Sequence, residues 1–133
     1  MLDAAEERLA VLLSGAVASG RYETTPVGGP QDAPLYLNEV VVGSTTLGPR
    51  VLLDALQAIE VESGRDRPYP DAPRTLDLDI ILYGDFVIDE PHLQVPHPRF
   101  RDRAFVLDPL SDVAGDGVDP VSGLTMVELR RRL

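Results

Sequence analysis

The chain has 133 residues, enough to build one hydrophobic core and therefore one domain over residues 1–133. Its net charge of −10 argues against non-specific nucleic-acid binding, and no apolar run is long enough to cross a membrane. The absence of cysteine excludes disulfides and thiolate metal sites, and it fits a cytoplasmic protein.

The basic residues are unusual in kind and in placement. All twelve are arginine, and six of them fall between residues 65 and 103. Those six are Arg65, Arg67, Arg74, Arg99, Arg101 and Arg103. Because arginine suits bidentate phosphate recognition, this segment fits a site for a small polyanion. Surface arginines without a shared role account for the composition equally well.

The first half of the chain predicts a helix, a strand, a loop and a second strand. Asp3 is suited to cap a helix over residues 3–14. Residues 17–25 predict a strand, and residues 25–34 are a Pro- and Gly-rich loop. Residues 35–46 are dense in β-branched side chains and predict a second strand.

The middle of the chain predicts a helix, a surface loop and a further strand. Pro49 suits the first turn of a helix over residues 47–64. Residues 65–73 contain three prolines and no apolar pattern, which is typical of a loop. Residues 75–83 predict a strand, and residues 84–85 predict a turn.

Short elements complete the chain. A partner strand is predicted at 86–88, and further short strand pieces at 93–95 and 104–107. Thr125 and Glu128 form a T-x-x-E capping box ahead of a last short helix. This order of elements predicts an α+β fold, with helices packed on a mainly antiparallel sheet.

Two aspartates interrupt the apolar strand in 73-PRTLDLDIILYG-84. Alternate strand residues point to opposite faces, so Asp77 and Asp79 share one face and lie about 7 Å apart at Cα. The core face is then formed by Leu76, Leu78, Ile80 and Leu82. This spacing suits one or two Mg²⁺ ions, which favour carboxylate and phosphate oxygens. A solvent-facing strand edge explains it equally well.

Nearby basic side chains favour the metal interpretation. Arg74 directly precedes the strand, and the loop before it carries Arg65 and Arg67. Metal-holding carboxylates beside arginines are what phosphoryl transfer uses. Further along, 95-VPHPRFRDRAF-105 offers His97 and Arg103 as additional donors, although a lone histidine is more often structural.

Five blocks together carry a family resemblance. They are Y-E-T-T-P-V-G-G-P, Y-L-N-E-V-V, A-I-E-x3-G-R, P-R-T-L-D-L-D-I-I-L-Y-G and V-P-H-P-R-x4-A-F-V-L, spread over residues 22–110. In this order they resemble 6-hydroxymethyl-7,8-dihydropterin pyrophosphokinases of folate biosynthesis. The resemblance implies a ferredoxin-like two-layer sandwich and ATP-dependent transfer of diphosphate to the hydroxymethyl group of the pterin.

The resemblance also implies roles for individual residues. Two Mg²⁺ ions bind the D-x-D pair Asp77 and Asp79, and catalysis involves Arg65, Arg74 and Asp77. The residues implied to bind ATP are Gln57, Glu60, Arg67, His97 and Arg103. Those implied to bind the pterin are Thr24, Thr25, Val27, Tyr36, Asn38 and Phe105, with the rings of Tyr36 and Phe105 on either side of it.

The sequence departs from the family in two places. The catalytic loop reads RDRPYPDAPR, so Tyr69 stands where many members have a tryptophan. Members also begin with a strand ahead of the first helix, whereas here the helix pattern begins almost at residue 1. The expectation is an incomplete sheet through which the chain self-associates.

Two alternative hypotheses for the function stay open. One is a non-catalytic relative that binds pterin or nucleotide or pairs with another chain. The other is a sugar-nucleotide transferase using D-x-D.

Overall fold

A computed structural model describes residues 2–24, 36–64 and 76–133. The helices are α1 (Leu2–Leu12), α2 (Pro49–Gly64), α3 (Ala104–Ala114) and α4 (Met126–Arg131), with a 3₁₀ turn at Phe100–Asp102. The strands are β1 (Ser14–Ala18), β2 (Tyr22–Thr24), β3 (Tyr36–Asn38), β4 (Val41–Ser44), β5 (Ile88–Glu90) and β6 (Leu93–Val95). Helices and small sheets together confirm the α+β class. No helix in these ranges is long and apolar enough to cross a membrane.

Each of the first two predicted strands is broken in two. β2 pairs antiparallel with β3, with Tyr22 opposite Asn38, and β1 pairs with β4. Buried Ser19 lies at the break between β1 and β2. Its N–H donates to the Val40 carbonyl (2.8 Å), and its Oγ accepts from the Val40 N–H (2.9 Å). The Ser19 side chain therefore takes a backbone donor that a continuous ladder would have satisfied.

The predicted strand over 75–83 is wrong for its described residues. Residues 76–83 have no strand assignment. In the described ranges the strands pair only in twos, as β1–β4, β2–β3 and β5–β6, so this segment has no strand beside it. A run of β-forming side chains becomes a strand only when a neighbour completes its hydrogen-bond ladder.

The predicted partner strand at 86–88 is also displaced. The turn at Gly84–Asp85 is confirmed, with Gly84 at φ +55° and the Phe86 N–H bonded to the Tyr83 carbonyl (3.0 Å). The strand that follows is β5, which pairs antiparallel with β6 and not with the segment before the turn.

The prediction of a short strand at 104–107 is wrong, because these residues are helical. These residues begin helix α3, which continues to Ala114 with Pro109 inside it. Leu107 and Leu110, spaced for a helix, are buried. A short apolar run does not by itself distinguish a buried strand from a buried helix.

The chain divides into two compact units, residues 1–16 with 43–97 and residues 17–42 with 98–133. In the first unit, α1 packs on α2 through buried side chains such as Leu9, Leu56 and Ile59. In the second, α3 packs on α4 and on the 3₁₀ turn, and the fully buried side chains include Phe100, Leu107 and Met126. Asp3, predicted to cap α1, instead lies in its first turn.

The predicted capping box at α4 is confirmed. Thr125 Oγ1 accepts from the Glu128 N–H, and Glu128 Oε1 accepts from the Thr125 N–H, each at 3.2 Å. The bond from the Thr125 N–H lowers the pKa of Glu128, so this carboxylate stays charged at the positive end of the helix.

Replacing Thr125 by alanine should lower the free energy of unfolding by about 1 kcal/mol, since it removes the acceptor for one helix-start N–H. The matched control is Thr46→Ala, at an exposed bend in the other unit. Thermal unfolding of both variants measures the difference. Equal losses in the two would show that the capping box does not stabilise α4.

Candidate active site

The acidic pair lies on the solvent side of its segment. Leu76 is buried, Asp77 and Asp79 are exposed, and Leu78 is half-buried. The predicted alternation of faces therefore holds through this part of the segment, although it is not a strand. From Ile81 to Tyr83 every residue is half-buried, and the alternation is lost.

Glu60 holds the backbone between the two aspartates. Its Oε2 accepts a hydrogen bond from the Leu78 N–H at 2.8 Å. Glu60 lies on α2 directly after buried Ile59, so the helix core fixes where this carboxylate points. A hydrogen bond to a charged acceptor contributes about 1.5–3 kcal/mol. The contact ties the D-x-D backbone to α2, and the ATP contact implied for Glu60 stays a prediction.

Two further predicted residues lie along the same part of this unit. The His97 N–H donates to the Ile81 carbonyl at 2.8 Å, and the His97 side chain is half-buried. The preceding peptide bond, Val95–Pro96, is cis. Gln57 is exposed on α2, one turn before Glu60 and on the same side of the helix. The His97 backbone therefore contacts the segment that carries the acids, and Gln57 lies one helical turn from Glu60, which also contacts it.

The other unit holds the predicted pterin residues of β2 and β3. Asn38 Nδ2 donates to Thr24 Oγ1 at 2.8 Å and to the Tyr22 carbonyl at 3.3 Å. A carbonyl can only accept, so the Asn38 amide must turn its NH₂ inward. Both of these bonds use the Asn38 NH₂ group and not its carbonyl oxygen, and the pterin contact implied for Asn38 stays a prediction.

The N-terminus of α3 presents a cation beside a ring. The guanidinium carbon of Arg103 lies 5.5 Å from the centroid of the Phe105 ring, within cation–π range. α3 packs against β2 and β3 in the same unit, and the Tyr22 hydroxyl donates to Asp112 of α3 at 2.5 Å. This bond raises the pKa of Tyr22 and keeps its hydroxyl protonated as a donor.

Tyr36 is 58% exposed on β3. In the described ranges its ring makes no direct ring contact with Phe105. Two rings that are to hold a flat ligand between them must not already be stacked on each other. The arrangement is thus compatible with the predicted pterin position.

The sequence interpretation missed a buried acid. Asp119 is fully buried and binds Arg101 through Nε (2.5 Å) and Nη2 (2.9 Å). Arg101 therefore has a structural role. The prediction that it belongs with the arginines that bind a small polyanion is wrong for this residue. The pattern D-P-V-S-G at 119–123 signals a turn, but it carries no information on which arginine the turn binds.

Several predicted site residues lie outside the described part of the chain. They are Thr25, Val27, Arg65, Arg67, Tyr69 and Arg74. The roles implied for them by the sequence resemblance stay predictions.

Comparison with known families identifies the family of this chain. A model of the family described as 7,8-dihydro-6-hydroxymethylpterin-pyrophosphokinase matches residues 1–115. That range contains every predicted site residue and covers most of the chain, so the chain belongs to this family.

Individual relatives support the same family. All three described next are named 2-amino-4-hydroxy-6-hydroxymethyldihydropteridine pyrophosphokinase. The Pseudomonas aeruginosa protein is 53% identical over 95 residues, which are 71% of this chain and 58% of the relative. The Synechocystis protein is 45% identical over 111 residues, 84% of this chain and 56% of the relative. The Haemophilus influenzae protein is 47% identical over 104 residues, which are 78% of this chain and 64% of the relative. The chain spans about three-fifths of the length of these relatives.

Glu60→Ala should release the D-x-D backbone. We expect hydrogen exchange at the Leu78 amide to accelerate by about tenfold or more, because the bond to a charged acceptor is lost. Glu60→Gln keeps an oxygen acceptor and should accelerate exchange less. Asp54→Ala, at an exposed position on the same helix, is the control. Unchanged exchange at Leu78 in Glu60→Ala would contradict the anchoring role.

Proposed function

We propose that this chain transfers the diphosphate of ATP to the hydroxymethyl group of 6-hydroxymethyl-7,8-dihydropterin, a step of folate biosynthesis. The observation that carries the proposal is the exposed Asp77–Asp79 pair, held to α2 by Glu60, within a chain of the pyrophosphokinase family. The names of the relatives favour this activity over a non-catalytic role and over sugar-nucleotide transfer.

The acidic pair suits Mg²⁺ that arrives with a nucleotide. Both carboxylates are exposed, and the described ranges contain no group of three or more acidic or imidazole side chains that forms a closed metal cage. Two carboxylates completed by phosphate oxygens and water are a usual Mg²⁺ environment. Mg²⁺ held there would neutralise negative charge that develops on the phosphates during transfer. We assign Asp77 and Asp79 as its protein ligands, for two ions.

The reaction needs alignment and charge neutralisation more than covalent help from the protein. The hydroxymethyl oxygen bonds to the β-phosphorus, the bond from that phosphorus to the oxygen bridging to the α-phosphorus breaks, and AMP leaves. The hydroxyl proton passes to a nearby acceptor, for which Asp77 is our candidate. We assign Gln57, Glu60, Arg67, His97 and Arg103 to ATP. Arg65 and Arg74 are assigned to the charge on the transferring group.

The pterin is assigned to the unit that carries β2, β3 and α3. The rings of Tyr36 and Phe105 are proposed to lie on its two faces. Asn38 supports the assignment, because its inward-facing NH₂ leaves a carbonyl oxygen for the N–H groups along a pterin edge. Thr25 and Val27 are assigned to the same pocket from the family pattern.

The proposed partners of this chain are the pterin and ATP, and its proposed location is the cytoplasm. Self-association through an incomplete sheet stays a prediction that light scattering tests directly.

Asp77→Asn and Asp79→Asn should each lower kcat by about 100-fold or more, since each removes charge that positions Mg²⁺ against the transferring phosphates. Asp85→Asn, an exposed turn residue in the same unit, is the control and should keep wild-type turnover. AMP release measures turnover, and calorimetry of a non-hydrolysable ATP analogue with Mg²⁺ measures binding. Near-normal turnover in either variant at saturating Mg²⁺ would overturn the assignment.

Thr24→Val should weaken pterin binding by about fivefold to tenfold, because valine cannot accept the shorter of the two Asn38 hydrogen bonds and leaves the amide with the 3.3 Å bond to the Tyr22 carbonyl. Thr24→Ser keeps the hydroxyl and should bind like the wild type. Equilibrium titration with the pterin compares the two. If both variants bind equally, Thr24 does not orient Asn38.

A further inference from the structure

A buried carboxylate outside the proposed chemistry organises the C-terminal loop. Besides Arg101, Asp119 accepts hydrogen bonds from the Val121 N–H (3.0 Å) and the Ser122 hydroxyl (2.7 Å). The Asp119 N–H donates to the Leu124 carbonyl (2.8 Å), and the Asp119 carbonyl accepts from the Gly123 N–H (2.8 Å). The loop thus orients the carboxylate through its own bonds as well as through Arg101.

Arg101 is held on two sides. Its guanidinium donates twice to Asp119, and its guanidinium carbon lies 4.7 Å from the centroid of the fully buried Phe100 ring. Bidentate arginine–carboxylate pairs are geometrically specific, so they fix orientation as well as distance. The Arg101 pair holds the pKa of Asp119 well below its usual range.

The turn that carries Arg101 continues directly into the start of α3. The Arg103 N–H donates to the Phe100 carbonyl (3.3 Å), which closes the 3₁₀ turn. The Arg103 carbonyl then accepts from the N–H groups of Val106 and Leu107, each at 3.0 Å. Arg103 therefore ends one turn and starts the next helix, with Phe105 as the second residue of that helix.

We propose that Asp119 is a positioning residue for the site: through Arg101 and the 3₁₀ turn it sets where Arg103 and Phe105 stand. The inference rests on the proposed function for the roles of those two residues. Asp119 lies beyond residues 1–115, which are the part of the chain that the family model matches. Its side chain reaches the turn before α3 through Arg101.

A purely stabilising role is the competing explanation, and the chain provides its own control. Asp108 and Arg130 form a second arginine–aspartate pair, with Nε and Oδ1 2.5 Å apart, between α3 and α4. This pair also ties the C-terminal segment to the same unit, but neither residue belongs to the 3₁₀ turn or to the first turn of α3. Asp108→Asn should therefore loosen the unit without moving Arg103 or Phe105.

The test uses the full chain with Asp119→Asn, Arg101→Met, the double variant and Asp108→Asn. At a temperature where every variant is folded, hydrogen exchange is measured at the Val106 and Leu107 amides. Affinity for the pterin and for a non-hydrolysable ATP analogue is measured by calorimetry. For Asp119→Asn we expect about tenfold faster exchange and about tenfold weaker binding, the equivalent of losing a charge-assisted bond. Asp108→Asn should leave both within about twofold.

The double variant separates positioning from stability. It leaves no unpaired buried charge, so its melting temperature should recover towards the wild-type value. Its ligand affinity should stay low, because the pair that orients the turn is absent. Recovery of affinity together with stability would overturn the positioning role, as would equal effects of Asp119→Asn and Asp108→Asn. If Asp119→Asn does not fold, the double variant alone supplies both measurements.

Failure of the proposed function is distinguishable from failure of this inference. A wild-type chain that binds neither ligand contradicts the proposed function. Hydrogen exchange at Val106 and Leu107 then decides whether Asp119 orders the start of α3. Wild-type exchange rates in Asp119→Asn would reject that role, whichever ligands bind.

Discussion

Polar groups withdrawn from water need partners, and in this chain side chains repeatedly supply partners for the backbone. Ser19 takes the Val40 N–H where two strand pairs are interrupted. Glu60 takes the Leu78 N–H in a segment that has no strand beside it among the described residues. Asp119 takes the Val121 N–H together with the Arg101 guanidinium. The first two contacts fix backbone close to the predicted site residues Asn38, Asp77 and Asp79, and the third holds the turn that leads to Arg103.

The predicted site residues of the two units differ in their chemistry. One holds exposed carboxylates on a segment anchored to a helix, which suits cations and phosphates. The other holds an oriented amide, an exposed tyrosine ring and an arginine over a phenylalanine, which suit a flat ligand rich in N–H groups.

The arginines show why clustering in sequence is a weak guide to role. Arg101 and Arg103 are two residues apart, yet one is bound to a buried aspartate and the other lies over Phe105. The difference comes from Asp119, sixteen or more residues further along the chain, which composition and spacing do not connect to either arginine. Counting arginines within a segment therefore overestimates how many can meet a phosphate.

The sequence alone determined the family, the α+β class, helix α2 and the capping box of α4, because those depend on local patterns and on motifs read in order. It also placed Asp77 and Asp79 on a common face, since successive side chains of a locally extended segment point to opposite sides. Tertiary structure decided the rest. Residues 76–83 are not a strand because no strand lies beside them in the described chain, and residues 104–107 became helix because Leu107 and Leu110 are buried on one helical face. The bonds from Leu78 to Glu60 and from Arg101 to Asp119 each span eighteen residues of sequence. Such contacts arise only when folding brings a donor and an acceptor together, so no local pattern predicts them.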